Sequence, residues 1–352
     1  MKRMFALLLA VVTALSLAAC KGNYFEIDIQ KPVTLPEDGV IDGAVFEEIR
    51  ATNAITAFTG SAGGLTYRWL VFGSQITDPK DTNLSVKLQK KDGGIAVSFQ
   101  GSLGFPAMLS ITLDEKWDAL TAAAYRNGKK VADVALVNGP TTEKPATILN
   151  FPVAEPYDNC IILPDKFEDS STGNSDRPNS DGSSTEQDGY LTDPIPEGKP
   201  LPVEPGKESD KTKIYSCVFS IECTAILNNI TELEADKREI LSWDGVILPP
   251  TKVEFYAGES VFDVLQRVCK ENSIHLESSW TPIYNSAYIE GIHNLYEFDC
   301  GSLSGWMYRV NGWYPNYGCS RYQLADGELV EWRFTCDLGN DVGCEWMGGT
   351  YE

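Results

Sequence analysis

The chain has 352 residues, with 29 Lys and Arg against 50 Asp and Glu, a formal charge of −21. That balance excludes nucleic acid as a partner, because phosphate contacts need clustered cations. Hydrophobic residues at 43% and charged residues at 22% describe a globular chain, and the length points to two domains. Two histidines leave little room for a His-rich metal site.

The N-terminus is built like an export signal. Lys2 and Arg3 precede an apolar run from Met4 to Leu17, which ends in Leu17-Ala18-Ala19-Cys20. The run is at the low limit for spanning a bilayer, so residues 1–19 read as a signal peptide. The Leu-Ala-Ala-Cys end resembles a bacterial lipobox. That resemblance implies cleavage before Cys20 and acylation of its thiol. The lipid bilayer is then a partner through Cys20, and the chain is expected at the extracellular face of the cell membrane. Residues 20–40 read as a polar lipidated tail.

From 41 to 163 short alternating segments follow one another. Residues 65–71, 84–88 and 95–99 alternate, and Ser110-Ile111-Thr112-Leu113 comes next. Asn127-Gly128 lies between apolar runs and predicts a hairpin, since both turn positions favour positive φ. A β-sandwich of immunoglobulin-like architecture is expected. Residues 47–52 or 115–124 are candidates for a short helix.

Residues 164–212 change character. From 165 to 212 there are twelve acidic residues, five basic residues and six prolines. Such a mix buries too little apolar surface to offset its ordering entropy. It reads as a disordered acidic linker that stiffens from Pro194 to Pro205. Asn179-Ser180-Asp181-Gly182 has the look of a calcium loop, but that frame puts Arg177 at the first ligand position, which argues against a metal.

Residues 213–352 carry six of the eight tryptophans. Strands are expected over 214–226, 252–255, 287–292, 295–298, 306–310, 313–314 and 329–334. The clearest helix begins at Ser260, an N-cap with Asp263 as partner, and places Val261, Phe262, Val264, Leu265, Val268 and Cys269 on one face. One helix on a mixed sheet predicts an α+β, grasp-like domain. The chain as a whole is thus expected to be mostly β.

Besides Cys20 there are eight cysteines, an even number, and in an exported chain disulfides are expected. Cys160 stands apart. The candidates are Cys217, Cys223, Cys269, Cys300, Cys319, Cys336 and Cys344, with their connectivity open. A bond between Cys217 and Cys223 is disfavoured, because six residues of strand separate them by about 20 Å.

No catalytic constellation emerges: no HExxH, no GxSxG and no phosphate loop. His275 and His293 read as loop or edge residues, and Asp337 and Asp341 as a solvated turn. Neither catalysis, a cofactor nor a metal is expected. The aromatics carry more information. Trp306 and Tyr308 share a strand face, and Asn311-Gly312 turns the chain into Trp313, Tyr314 and Tyr317. Rings beside a turn are candidates for an exposed binding platform, with burial in the core as the alternative.

Four motifs carry a resemblance. Gly258-Glu259-Ser260-Val261-Phe262-Asp263-Val264-Leu265, Tyr288-Ile289-Glu290-Gly291-Ile292, Ser304-Gly305-Trp306-Met307-Tyr308-Arg309-Val310-Asn311-Gly312 and Leu324-Ala325-Asp326-Gly327-Glu328 are similar to the transcobalamin-like C-terminal domain family. The resemblance covers about residues 213–340. It implies a small β-rich domain that closes over one face of cobalamin or a related corrinoid, near Trp306, Tyr308 and the loop after Gly312. Family carriers complete the site with a helical barrel, and residues 21–163 contain no helical repeat, so a second protein would complete it here. The competing reading is a surface adhesion module whose aromatics bind glycan or protein without catalysis.

Overall fold

The computed structural model describes residues 31–117, 119, 121–138, 146–154, 159–165, 190 and 195–344. The signal and Cys20, and the calcium-like stretch 177–188, lie outside them. The chain is mostly β, as expected.

Among the described residues the first domain contains twelve strands: β1 Val33–Thr34, β2 Val40–Ile41, β3 Ile55–Ala62, β4 Leu65–Phe72, β5 Thr82–Asn83, β6 Val86–Lys91, β7 Gly94–Phe99, β8 Ala107–Thr112, β9 Thr121–Arg126, β10 Lys129–Asn138, β11 Thr147–Val153 and β12 Asn159–Asp165. Ten of them form one curled sheet in the order β1-β3-β4-β8-β11-β10-β9-β12-β7-β6. β10 makes the curl, because its first half pairs with β9 and its second half with β11. The two layers so formed close on a core that includes Phe58, Trp69, Leu109, Phe151 and Ile162. The hairpin at Asn127-Gly128 is present, with both residues at positive φ.

Helix α1, Gly43–Ala51, fills the first of the two helix positions considered and is capped by Asp42, whose carboxylate accepts from the Ala44 N–H. The second position is corrected, since residues 121–126 are strand. The tail is shorter than expected too: β1 pairs parallel with β3, which makes residues 33–34 part of the sheet.

The distal domain follows. β13 Asp210–Glu222, β14 Val246–Ala257, β18 Gly305–Val310 and β19 Leu329–Thr335 form a sheet in the order β14-β13-β19-β18. β13 runs parallel to β19, so the first and last strands of the domain lie side by side. β15 Leu276–Thr281, β16 Ser286–Ile292 and β17 Leu295–Tyr296 form a second, three-stranded sheet. β13 stops at Glu222 where a strand to 226 was expected. The next residues form a short helix α2, Thr224–Asn228. Helix α3, Val261–Glu271, has the expected capping box: Ser260 Oγ accepts from the Asp263 N–H, and Asp263 accepts from the Ser260 N–H at 2.8 Å. Its apolar face packs on both sheets.

The two domains share an apolar layer. Ala57, Leu70, Phe72 and Met108 on the outer face of the sandwich pack against Cys223, Ile226 and Leu227. β4 is therefore covered on both faces, Trp69 and Val71 facing inward and Leu70 facing the distal domain. Polar joints flank the layer. Arg68 donates to the Leu227 carbonyl and, at 3.0 Å, to Asn228 Oδ1. Buried Asn150 accepts from Ser110 Oγ at 2.7 Å and donates to the Thr224 carbonyl at 3.4 Å. Desolvation pulls the Arg68 guanidinium down to about 10, so its carbonyl partners matter. Arg68→Ala leaves a buried carbonyl unpaired and is expected to cost about 1–3 kcal/mol. The check is the urea midpoint, and an unchanged midpoint would show the joint to be energetically idle.

Candidate functional site

The rings after the Asn-Gly turn point inward, not outward. Trp306 is half-buried, donates its indole N–H to the Leu295 carbonyl at 2.8 Å and meets Phe334 edge-on at 5.2 Å. Tyr308 is buried and its hydroxyl donates to the Tyr317 carbonyl at 2.7 Å. Tyr314 is buried and donates to the Val342 carbonyl at 2.7 Å. Tyr317 is buried, stacks on Tyr322 with centroids 6.2 Å apart, and donates to the Pro200 carbonyl at 2.7 Å. Asn311 has positive φ and accepts from the Leu329 N–H at 2.9 Å, a turn-making role.

The reason is local. Val310 and Trp313 exchange backbone hydrogen bonds across the tight turn, which folds the following aromatics back onto their own sheet. The expected strand at 313–314 is reduced to this bridge. Tyr308, Tyr314 and Tyr317 are buried, whereas Trp306, Asn311 and Trp313 keep part of their surface in solvent, so the six do not form one outward platform.

What remains of that face is already covered. Residues 195–206, expected to be linker, run along it as a strap. The Val203 N–H donates to the Arg321 carbonyl at 2.9 Å, and Lys199 Nζ lies 5.5 Å over the Trp313 ring. Ile195 packs against the distal core. Asn285 reaches Glu204 Oε2 at 2.8 Å. An extended Pro-rich segment on an aromatic surface is a familiar docking mode, and here it is intramolecular.

Exposed rings lie elsewhere: Phe298 after β17, Tyr256 on β14, and a cluster on the hairpin β15–β16. Trp280 is 50% exposed, Ile283 60%, Tyr284 46% and Tyr288 47%, against 8% or less for Tyr308, Tyr314 and Tyr317. The connecting turn contains Pro282, with the Tyr284 N–H donating to the Thr281 carbonyl at 3.2 Å and Asn285 at positive φ. Ala287, Ile289 and Ile292 anchor the inner face to the core. Ser320 Oγ accepts from the Ala287 N–H at 3.0 Å and meets Ser286 Oγ at 2.9 Å. On the outer face Tyr288 donates to Glu297, and Tyr296 donates to Glu277 at 2.8 Å. Burial and the Glu297 carboxylate push the Tyr288 phenol up, so it stays neutral. The result is a rigidly based hairpin with an apolar tip.

β15 went unread in the sequence because Glu277-Ser278-Ser279 looks like loop. The available signal was Trp280-Thr281-Pro282-Ile283-Tyr284, a turn with far more apolar surface than turns need.

Other sequence candidates find structural places. The His293 N–H donates to the His275 carbonyl at 2.8 Å, and His293 has positive φ in the β16–β17 turn. Asp341, expected in a solvated turn, is buried, and accepts from Thr335 Oγ1 and from the Cys336 N–H. The described residues contain no group of His, Cys, Asp or Glu suited to a metal. Seven of the eight described cysteines are buried. Burial raises the thiols of Cys160, Cys217, Cys269 and Cys319 to about 12, which makes them poor nucleophiles.

Fold and surface thus describe a mostly β chain with an exposed aromatic hairpin on its α+β part. Residues 258–336 match a family described as Domain of unknown function (DUF4430). All four motifs of the transcobalamin-like resemblance fall inside that stretch. A solved structure titled Crystal Structure of Haptocorrin in Complex with Cbi is similar over 37% of this chain, at 16% identity and a TM-score of 0.28. The chain spans 27% of the length of that protein. No curated protein matches the sequence.

Burial raises the Tyr308 and Tyr314 phenols above their ordinary value. A phenol held neutral in the fold ionises near pH 10 once unfolded. Its contribution to stability is therefore complete below about pH 10 and is lost as pH climbs beyond it. In a tyrosinate absorbance titration, these phenols are expected to ionise only together with unfolding. A single reversible titration near pH 10 with the fold intact would contradict this.

Proposed function

We propose that the distal domain is a non-catalytic binding module and that its contact surface is the tip of the β15–β16 hairpin. The observation that carries this is the joint exposure of Trp280, Ile283 and Tyr284 on a turn whose base is fixed by Ser286, Ala287 and Ser320. Exposed rings on a rigid support bind flat apolar surfaces at low entropic cost.

Cobalamin or a related corrinoid is the ligand that the motifs over 258–328 favour. Such a ring would stack on Trp280 and Tyr284, while the half-buried Trp306 and the buried Tyr308 support the sheet. A hairpin tip covers one face of a corrinoid, so a second protein supplies the other. We also propose that the chain is held at the extracellular face of the cell membrane by lipid on Cys20. The support is the order of basic, apolar and small residues over positions 1–20.

Cobalamin titration of the purified chain, followed by visible absorbance and calorimetry, tests the ligand. Saturable binding is expected, and Trp280→Ala is expected to weaken it by about 2 kcal/mol, roughly thirtyfold. No heat and no spectral change would reject the corrinoid. Glycan-array binding that depends on Trp280 would instead support the adhesion reading. For the anchor, Cys20→Ala is expected to move the protein from the membrane fraction to the soluble fraction. Unchanged fractionation would sink the lipid assignment.

A further inference from the structure

Two thiols meet at the base of the distal domain. Cys300 belongs to the turn after β17, and Cys336 directly follows β19. Their sulfurs are 3.4 Å apart, although 36 residues separate them in sequence. Both backbones are pinned. The Cys300 N–H donates to Ser304 Oγ at 3.1 Å, and the Cys336 N–H donates to Asp341 Oδ2 at 2.8 Å. Asp341 is itself held by the Thr335 hydroxyl, and the Leu338 N–H donates to the Leu303 carbonyl at 2.9 Å across the same gap. Two fixed main chains therefore present their sulfurs to each other in van der Waals contact. Cys223 belongs to the same apolar cluster; its thiol donates to the Gly245 carbonyl at 3.4 Å and the Cys300 thiol to the Asn229 carbonyl at 3.6 Å, so the contact of their sulfurs is what singles out Cys300 and Cys336. Ile226 and Leu227, which face the sandwich, line that cluster as well.

We propose that Cys300 and Cys336 are joined by a disulfide, with Cys223 left as a thiol. The pinned backbones need only small side-chain rotations to bring the sulfurs to bonding distance. The oxidant is a second disulfide, either that of a thiol oxidase or a small-molecule one. The Cys336 thiolate attacks one of its sulfurs to give a mixed disulfide and release one thiol. The Cys300 thiolate then attacks the Cys336 sulfur and releases the other. The two cysteines lose two protons and two electrons, and the oxidant is reduced to two thiols. Cys336 is the more exposed of the pair and is therefore the entry point. Its folded-state thiol is pushed up by the neighbouring Cys300 sulfur and by burial, so exchange is fastest while the chain is still folding. The bond would tie the Cys300 turn to the end of β19, beside the layer on which the two domains meet.

The test is to refold the full chain in a glutathione/glutathione-disulfide buffer, block free thiols under denaturing conditions, and map the peptides without reductant. A Cys300–Cys336 linked peptide and an alkylated Cys223 are expected, with the intact mass lower by two hydrogens before alkylation. Alkylation of both Cys300 and Cys336, or a bond that includes Cys223, overturns the assignment. Because this reading uses the wild-type chain, it does not depend on any variant folding. Cys336→Ser, Cys300→Ser and the double variant are expected to lower Tm by the same amount, roughly 10 °C, with no additivity. Reductant is expected to lower the wild-type Tm to that level and to leave the variants unchanged. Equal Tm values in wild type and variants under oxidising conditions would argue against a stabilising bond.

Discussion

Arg333 is the point at which the parts of this chain are tied together. Its guanidinium bonds to Glu222 at the end of β13, to the Val342 carbonyl at 3.0 Å in the segment after β19, and to the Leu136 carbonyl at 2.8 Å on sandwich strand β10. A charge this deeply buried is tolerated only when its donors are satisfied, and removing one partner typically costs about 3–5 kcal/mol. The pairing holds β13 parallel to β19, which brings the two ends of the distal domain together. That end of the sheet then has its α2 side turned towards the sandwich, where Leu70 and Met108 meet Ile226 and Leu227. Arg309 and Glu331, bonded at 2.6 and 2.7 Å one ladder step away, repeat the same solution for a buried ion pair.

Packing around this joint accounts for the fate of the aromatics. Tyr308 lies against Trp332 on the neighbouring strand, and Tyr317 lies against Tyr322. Tyr308 and Tyr317 spend their hydroxyls on carbonyls and Tyr322 donates to Glu328 Oε1 at 2.8 Å, so these phenol tips are buried with partners. The Pro-rich strap closes the same face, since the Pro200 carbonyl is the acceptor for Tyr317. A surface so consumed by its own chain has little left for a ligand. The β15–β16 tip is not consumed in this way, and Trp280, Ile283 and Tyr284 stay exposed.

Local signals were legible where local physics decides. Asn127-Gly128 and Asn311-Gly312 make the turns their positive φ values require, and Ser260 with Asp263 starts the helix its spacing indicates. The alternating runs at 65–71 and 95–99 are strands because burial on one face rewards that period. Illegible stretches were those whose state is decided by a partner outside their own residues. Glu277-Ser278-Ser279 is a strand only because 286–292 pairs with it. Thr224–Asn228 leaves the sheet to cover the sandwich. Residues 195–206 look disordered by composition, yet they order against Trp313, Tyr317 and Arg321.

From the sequence alone come the β-rich class, the capped helix and the principal hairpins, since each rests on contacts within a few residues or on composition. Tertiary structure alone decided which rings face water, how the domains dock, and which sulfurs meet. Those outcomes depend on the curl of a sheet and on a parallel pairing between residues more than a hundred positions apart. No window of sequence contains both partners, so the choice between core and surface for Trp280 and Tyr308 belongs to the fold.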